Sequence, residues 1–214
     1  MLEIPSLGIS VQTHLGGTAS ACFASDLLPN QIFFALQEQN ALKLIHHSGQ
    51  ILVANAHTQQ ITALEFTQYG GNDVLFSGGL DGKLKAWTID RQQSTFTPID
   101  QKDLQSPVLC LQMLPNNVLV AGLQNGTMSI WNLNDNSLNA MPAHPCAITC
   151  LFRKDQYLVS GDMTGNIRVL DANSAATILE SPPAQQPGPQ SRDLSPILSI
   201  TILEGPIPII VAGD

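Results

Sequence analysis

The stretch SGGLDGKLKAW, residues 77–87, decides how the rest of the chain is interpreted. An apolar run at residues 74–76 precedes it, and an alternating segment leads from the turn to Trp87. Asp-Gly between two alternating apolar runs is the strongest short-range signal for a β-hairpin, because both central residues of such a turn need positive φ. The stretch therefore predicts two antiparallel strands joined by a tight turn at Asp81 and Gly82.

The same pattern recurs along the chain, as AGLQNGTMSIW at residues 121–131 and more weakly as SGDMTGNIRVL at residues 160–170. The turn positions Asn40, Gly82, Gly126 and Gly165 are separated by 42, 44 and 39 residues. Asn replaces Gly at the first of them because it tolerates left-handed backbone better than other residues. Four short strands repeating at this period predict β-propeller blades, which bury their faces by stacking on one another.

The repeated units resemble WD40 repeats. The residues that carry the resemblance are Ala56-His57, Ser77, Asp81-Gly82, Trp87, Trp131-Asn132 and Ala143-His144. The resemblance covers nearly all of the chain and implies an all-β, WD40-type β-propeller with four complete four-stranded blades and a partial fifth. The blades are expected at residues 19–55, 56–103, 104–142, 143–180 and, in part, 195–214.

Two segments lie outside this pattern. Residues 1–18 form an N-terminal segment, in which residues 7–13 are expected to make a lone strand that closes the last blade. The Pro- and Gln-rich residues 181–195 are expected to form a mobile loop between blades. Because the fifth unit stops after its second strand, we expect an incomplete ring and a fragment of a longer chain. A seven-bladed ring would need roughly 90 to 100 further residues.

The resemblance also implies a structural role for the polar residues of the second unit. In WD40 repeats a His, a Ser or Thr, an Asp and a Trp form a buried hydrogen-bonded set, and His57, Ser77, Asp81 and Trp87 occupy these positions. The other units are expected to be less complete and to depend more on apolar packing. The third has Leu104 and Ala121 at the His and Ser positions, and the fourth has His144 and Ser160, with Thr164 for Asp and Leu170 for Trp.

Catalysis and cofactor binding find little support in the sequence. His57, Ser77 and Asp81 are the residue types of a hydrolase triad, but their positions coincide with the structural set and no G-x-S-x-G segment occurs. Gly78, Gly79 and Gly82 do not form the G-x-G-x-x-G of a dinucleotide-binding loop. We therefore expect no enzymatic activity, no catalytic residues and no cofactor.

Cys146 and Cys150, with His144 nearby, suggest half of a zinc site, but no second ligand pair exists in the sequence. The alternative is that all four cysteines, which include Cys22 and Cys110, are buried, reduced thiols, as in intracellular proteins. Cys110 and Cys150 occupy the same place in their units, where a small residue fits a crowded contact between blades. We expect no metal, and a cytoplasmic location with the nucleus as the alternative.

Charge and hydropathy restrict the partners. The net charge of −8 and the pI near 4.9 oppose binding to bare phosphate backbone, which requires clustered Lys and Arg. Residues 1–11 do not resemble a signal peptide, and no apolar run approaches the roughly 20 residues of a membrane helix. We expect no membrane partner, and no small-molecule substrate is evident.

The predicted function is a protein–protein interaction scaffold that binds other proteins through blade loops and nucleates or joins a multiprotein complex. An alternative is a fragment of an RNA-associated protein, because SPVLCLQM and VAGLQNGTMSIWNL are similar to the propeller part of CCCH zinc-finger WD40 proteins, although no CCCH finger is present. A third interpretation is an enzyme whose catalytic domain lies outside this sequence.

Overall fold

The computed structural model describes the backbone of residues 2–4, 9–11, 19–24, 31–36, 40–46, 51–90, 95–174, 176–181, 196–203 and 209–213, with side chains for 40–42, 55–90, 95–174, 176–180, 196–202 and 213. The chain divides into two compact units, Met1–Gln105 and Ser106–Asp214. The predicted blade and domain boundaries stay predictions.

The first unit contains ten strands in the part that the structure describes. They are β1 (Leu2–Ile4), β2 (Ile9–Val11), β3 (Ala19–Ala24), β4 (Gln31–Leu36), β5 (Ala41–His46), β6 (Ile51–Asn55), β7 (Ile61–Tyr69), β8 (Asn72–Gly79), β9 (Lys83–Asp90) and β10 (Thr95–Asp103). β3–β6 and β7–β10 each form a four-stranded sheet in which sequential strands pair antiparallel.

The second unit repeats this plan. Its strands are β11 (Val108–Leu114), β12 (Val118–Leu123), β13 (Thr127–Asn132), β14 (Ser137–Pro142), β15 (Ile148–Lys154), β16 (Tyr157–Asp162), β17 (Ile167–Asp171), β18 (Thr177–Ser181), β19 (Ser199–Leu203) and β20 (Ile209–Gly213), with a 3₁₀ turn at Pro115–Asn117. β11–β14 and β15–β18 are four-stranded meanders, and β19 pairs with β20.

The predicted hairpin of residues 77–87 is present, but its turn differs from the expected one. Gly82 has a φ of 72°, whereas Asp81 is not among the residues of positive φ. The Gly82 N–H donates to Gly79 O over 3.2 Å, so three residues connect β8 and β9. In a three-residue loop only the last residue needs left-handed backbone, which is why Asp81 remains free for another role. Asn40, with a φ of 48°, has the predicted left-handed conformation.

The first strand of each four-stranded sheet carries a β-bulge at the same place. The pairing register shifts between Ala19 and Ala21, between Ile61 and Ala63, between Val108 and Cys110, and between Ile148 and Cys150. The inserted residue bends the strand and increases its local twist. In two sheets its hydroxyl donates to the second strand, from Thr62 to Gly78 O and from Thr149 to Gly161 O, each over 3.2 Å.

The expectation of a lone N-terminal strand is wrong. β2, which lies inside predicted residues 7–13, pairs antiparallel with β1, and Glu3 lies opposite Ser10. The predicted mobile loop at 181–195 lies outside the described residues, except for Ser181 at the end of β18.

Apolar side chains form a core within each unit. In the first unit, Trp87 and Ile89 of β9 pack with Leu42, Ala56 and Leu75. In the second unit, Leu170 and Ala172 pack with Met128, Ala143 and Leu158 in a cluster of the same arrangement. The correspondence follows from the shared register, since Leu75 lies opposite Trp87 and Leu158 lies opposite Leu170.

Candidate functional site

The structure brings together the four polar side chains that the sequence singled out in the second unit of the repeat. His57 Nδ1 lies 2.9 Å from Asp81 Oδ1, and His57 Nε2 lies 2.8 Å from Ser77 Oγ. The indole N–H of Trp87 donates to the same Ser77 Oγ over 2.9 Å. Ser77 precedes the hairpin turn on β8, Asp81 lies in the turn and Trp87 follows it on β9, so the hairpin itself places three members of the set.

Asp81 connects this set to the loop before β7. Its Oδ1 also accepts from the Lys83 N–H over 3.2 Å, and its Oδ2 accepts from the Thr58 N–H and hydroxyl over 3.0 and 3.2 Å. Burial would raise the pKa of Asp81, but the hydrogen bonds from His57 and from the Thr58 and Lys83 backbone outweigh it and hold that pKa below the ordinary value. The carboxylate is therefore ionised and acts only as an acceptor.

These contacts fix the proton positions. Burial lowers the pKa of His57 despite the neighbouring Asp81, so the imidazole is neutral. Its Nδ1–H donates to the carboxylate, which leaves Nε2 as an acceptor for the Ser77 hydroxyl. Because the Trp87 N–H is donor only, Ser77 Oγ accepts from the indole while its proton goes to His57. With these proton positions, each hydrogen bond from Trp87 through Ser77 and His57 to Asp81 has one donor and one acceptor.

A second histidine set lies in the sheet β15–β18, where the sequence predicted an incomplete copy. His144 Nε2 lies 2.8 Å from Ser160 Oγ, as expected from the register. Its Nδ1, however, lies 3.1 Å from Oδ2 of Asp162, and this carboxylate replaces the predicted Thr164. The assignment of Thr164 to the Asp position of this set is therefore wrong, whereas Leu170 stands at the Trp position as predicted.

Asp162 is fully buried and receives donors from three residues. Oδ1 accepts from the N–H groups of Thr164 and Asn166 and from the Thr164 hydroxyl, over 2.8, 2.9 and 3.0 Å. Oδ2 accepts from the Asn166 side-chain amide over 2.7 Å, in addition to His144. Burial would raise the pKa of Asp162, but the bonds from Asn166 and Thr164 lower it overall. Burial likewise lowers the pKa of His144 and keeps it neutral.

A local signal for this second set was present in the sequence. In Ser160-Gly161-Asp162 the acid follows the serine by two residues, whereas Asp81 follows Ser77 by four. Thr164, and not Asp162, stands at the position of Asp81, because each residue directly precedes the glycine of its turn. A search for any carboxylate in the Ser-to-turn segment would have found Asp162.

The sheet β11–β14 uses apolar residues at two of these positions. Ala121 and Leu123 are buried where β8 and β16 have a serine and β16 also has an aspartate. With no hydroxyl at position 121, the indole N–H of Trp131 donates instead to Asn136 Oδ1 over 2.8 Å. Asn136 reaches it from a left-handed turn position, with a φ of 59°. This sheet agrees with the expectation of greater dependence on apolar packing. Leu104, at the predicted His position, is half-buried.

The contacts Asp–His–Ser have the connectivity of a hydrolase triad in both sheets, but their surroundings do not suit nucleophilic attack. Ser77 and Ser160 are both 0% exposed. Ser77 Oγ also accepts the Trp87 N–H, which makes it a poorer nucleophile. A substrate carbonyl needs access to the serine oxygen and to an oxyanion hole beside it. The geometry therefore supports a structural role for both sets.

The three cysteines with described side chains have separate contacts. Cys146 Sγ lies 3.3 Å from the Thr164 hydroxyl, Cys110 Sγ donates to Ile148 O over 3.6 Å, and Cys150 Sγ donates to Ile197 O over 3.4 Å. Burial raises the pKa of both Cys110 and Cys150, which keeps these thiols protonated. Among the side chains that the structure describes, no group of three or more His, Cys, Asp or Glu is arranged to hold a metal ion.

The sulfur atoms of Cys110 and Cys150 also explain the need for small residues nearby. A Cβ added at Gly122 would lie 2.5 Å from Cys110 Sγ, and one added at Gly161 would lie 3.0 Å from Cys150 Sγ. Such short separations leave no room for a side chain on the second strand. The predicted crowding at this place in the repeat is therefore visible within the second unit.

Comparison with known proteins identifies the repeat. Residues 44–88 match the family model described as WD domain, G-beta repeat. The chain is 24% identical over 149 residues to Mitochondrial division protein 1 of Kluyveromyces lactis, covering 62% of this chain and 21% of that protein. It is 22% identical over 205 residues to Telomerase protein component 1 of Rattus norvegicus, covering 86% of this chain and 7% of that protein. The chain thus spans only a small part of these relatives.

Solved structures show the same fold. The computationally designed Ika8 protein superposes with a TM-score of 0.69 at 24% identity, covering 91% of this chain and 55% of that one. The designed Ika4 protein gives a TM-score of 0.58 at 25% identity, covering 76% of this chain and 89% of that one. In the part of the chain that the structure describes, no helix is long and apolar enough to cross a membrane. Residues 44–88 match a WD40 repeat, and the chain has the predicted all-β fold of antiparallel four-stranded sheets.

Proposed function

We propose that this chain is a non-enzymatic scaffold that binds other proteins and nucleates or joins a multiprotein complex. The observation that carries the proposal is the repeated four-stranded sheet with a WD40 repeat at residues 44–88. WD40 repeats are generally protein-interaction scaffolds. The buried use of His57, Ser77 and Asp81, and of their counterparts in β15–β18, supports a fold whose polar sets stabilise a binding platform.

The loops at the two ends of the sheets offer the contact surfaces. In the second unit, the turns at residues 124–126 and 163–166 lie at one end of their sheets, and those at 115–117, 133–136 and 172–174 lie at the other, because each strand reverses the chain. Gln124 at the first end and Asn173 at the second are both exposed. We propose that partners bind through such loops, which a rigid sheet holds in place.

Affinity capture from the native source, followed by cross-linking and mass spectrometry, tests the proposal. We expect reproducible partner proteins, cross-linked to residues in or next to the loops. Gln124→Arg and Asn173→Arg form a matched pair of baits, since each alters one end and neither residue lies in the core. Loss of a partner with one variant and not the other would identify the end that binds it. Replicate captures that share no partner would contradict the scaffold function.

The resemblance to CCCH zinc-finger WD40 proteins stays a prediction, since neither the repeat match nor the relatives above bear on it. The net charge of −8 opposes direct binding to an RNA backbone. Ultraviolet cross-linking to RNA at several salt concentrations separates the two functions. Salt-sensitive RNA recovery would favour the RNA-associated alternative, and its absence would favour the scaffold.

We also propose a cytoplasmic location, with the nucleus as the alternative. The protonated, buried thiols of Cys110 and Cys150 are consistent with a reducing compartment. Subcellular fractionation of the native source, followed by immunodetection, tests this location. Recovery in a secreted or vesicular fraction would contradict it.

A further inference from the structure

A cavity of about 210 Å³ lies within the second unit, between the sheet β11–β14 and the strands β16 and β17. One face of the first sheet supplies Val120, Met128 and Met141, while Leu158 and Leu170 line it from β16 and β17. Met128 lies opposite Met141 in the strand pairing, so the two thioethers lie side by side on this face. The depth of the cavity is therefore apolar and is lined by side chains of two sheets.

The mouth of the cavity is polar. Asn132, Asn139 and Asn173 line it, and of these Asn139 and Asn173 are exposed. Asn139 belongs to β14, the last strand in its sheet, and Asn173 belongs to the turn after β17. A primary amide offers both a donor and an acceptor, which matches the paired N–H and C=O of a peptide backbone. The cavity thus has an apolar interior and amides at its entrance.

The first unit shows why this space exists. Its corresponding cluster is filled by Trp87 and Ile89, at the positions that Leu170 and Ala172 occupy in the second unit. Both replacements are smaller, and both Leu170 and Ala172 line the cavity. The cavity therefore lies beside two positions at which the first unit has larger side chains.

The volume suits an aromatic ring. An apolar cavity of about 150 Å³ in another protein admits benzene, and the larger space here has room for an indole. Met128 and Met141 can adjust their conformations around a ring, and thioethers make favourable contacts with aromatic groups. An aromatic side chain buried in a pocket, with polar groups around it, is also the usual anchor of a protein interface.

We propose that this cavity receives a tryptophan or phenylalanine side chain of a partner polypeptide, and that the amides of Asn132, Asn139 and Asn173 hydrogen-bond the partner's backbone. The inference rests on the proposed scaffold function and adds to it the chemistry of the bound segment. The ring occupies space beside the small side chains of Leu170 and Ala172. The amides at the mouth select a peptide over a free aromatic molecule.

Methyl NMR with defined probes tests the inference. The chain, labelled at Leu, Val and Met methyl groups, is titrated with the blocked tripeptide acetyl-Ser-Trp-Ser-amide, with acetyl-Ser-Ala-Ser-amide and with free indole. We expect the Trp tripeptide to shift the methyl signals of Val120, Met128, Leu158 and Leu170 in a saturable way, and the Ala tripeptide to leave them in place. Indole is expected to compete with the Trp tripeptide for the same signals.

Two variants fill the cavity from inside. Leu170→Trp puts the larger residue of β9 at a position that lines the cavity. We expect at least tenfold weaker binding of the Trp tripeptide. Ala172→Ile is a smaller filling change, expected to weaken binding severalfold, and keeps the test valid if the larger variant does not fold. Leu138→Trp on β14 is the matched control, because Leu138 is exposed and does not line the cavity, so binding should be unchanged.

Three results would overturn the inference: no saturable methyl shift with the Trp tripeptide, unchanged binding in both filling variants, or binding of free indole without binding of the tripeptide. The last result would mean that the cavity takes a free aromatic molecule and not a partner side chain. Because the probes are defined peptides, a failure here does not depend on the capture experiment, which tests the scaffold function separately.

Discussion

The sheets β7–β10 and β15–β18 reach the same histidine contacts by different routes. In both, Nε2 of the histidine faces a buried serine hydroxyl at 2.8 Å. In the first sheet the carboxylate comes from the loop, at Asp81, and in the second it comes from the end of a strand, at Asp162. The first sheet adds Trp87 to its serine, whereas the second has Leu170 at that position.

In both sheets a carboxylate oxygen must lie beside histidine Nδ1, but the chain position that supplies this carboxylate can differ. A Cβ at Gly79, the counterpart of Asp162, would lie 2.7 Å from His57 Nδ1 and 2.9 Å from Asp81 Oδ1. An aspartate at position 79 would therefore compete with Asp81 for one space. Each sheet therefore has an aspartate at only one of the two positions. The other position holds Gly79 in β7–β10 and Thr164 in β15–β18.

The largest effect is expected from Asp162→Ala. This change leaves the buried donor of His144 and the half-buried donors of Thr164 and Asn166 without their acceptor, so we expect a loss of about 3–5 kcal/mol in the free energy of unfolding. Asp81→Ala should cost less, about 2–3 kcal/mol, because water can reach the Thr58 groups that it leaves. Urea denaturation followed by circular dichroism measures both.

Asp171→Ala is the matched control for that pair. Asp171 Oδ1 accepts from the exposed turn groups of Asn173 and Ser174, where water can replace the lost acceptor, so Asp171→Ala should destabilise the fold far less than Asp162→Ala. If Asp162→Ala were as stable as Asp171→Ala, the carboxylate at the end of β16 would not contribute to the stability of the fold, contrary to our expectation.

The next largest loss of stability is expected from Trp87→Leu. This change introduces into β9 the residue that β17 has at the same position, Leu170. Removing a buried indole costs about 2–4 kcal/mol, and Ser77 loses a donor as well. Trp87→Phe separates the two causes, because it keeps a ring and removes the N–H. Equal losses in the Phe and Leu variants would assign the effect to the hydrogen bond, and a small loss in the Phe variant would assign it to packing.

A double variant tests whether an aspartate at position 164 can replace Asp162. In Asp162→Gly/Thr164→Asp, the sheet β15–β18 acquires the carboxylate placement of β7–β10. We expect the second change to restore about 1–2 kcal/mol of what Asp162→Gly alone removes, as contacting residues couple by this order of magnitude. Thermal or urea unfolding of the two singles and the double gives the coupling. Additive losses would show that position 164 does not reach His144 Nδ1.

The smallest expected effect is the response to pH. The folded pKa of both His57 and His144 lies below the ordinary 6.5, so the unfolded chain binds more protons just below that pH. Stability should therefore fall as pH decreases through the window below 6.5. The lowered pKa values of Asp81 and Asp162 add a second loss below the ordinary 3.8. Urea midpoints across pH 7 to 3 measure this slope.

A difference between the two histidines is also expected. Protonating His57 would force its Nε2–H towards Ser77 Oγ, which already accepts from Trp87, and would leave the serine proton without its acceptor. Ser160 has Leu170 in place of that indole and can rotate to accept from a protonated His144. His144 should thus titrate at a higher pH than His57, as ¹⁵N-detected imidazole NMR can show. The reverse order would contradict the role assigned to Trp87.

The repeat and the fold class could be predicted from the sequence because both depend on spacing. The positions of Asn40, Gly82, Gly126 and Gly165 fix the hairpins, and all four have the left-handed backbone that such turns require. The contacts of His57 could be proposed because each partner stands where the family pattern places it. Neither inference needed knowledge of how side chains pack.

The carboxylate of Asp162 and the cavity beside Leu170 could not be predicted in the same way. Asp162 reaches His144 from a backbone position that holds Gly79 in β8 and Leu123 in β12, so only three-dimensional distances reveal its role. The cavity depends on two sheets at once, since Leu170 is too small for the space that Met128 and Val120 leave. Alignment shows that a tryptophan is replaced, but not whether the neighbours close the gap.

The bulge shared by the first strands has a practical consequence for engineering. Because Ser20, Thr62, Leu109 and Thr149 are inserted at one common point, each first strand meets its neighbour in a single offset. A shift of the pairing register by one residue would displace the bulge along the second strand. It would also place every following side chain on the opposite face of the sheet. An exchange of first strands between sheets must therefore carry the inserted residue with it if the register is to be kept.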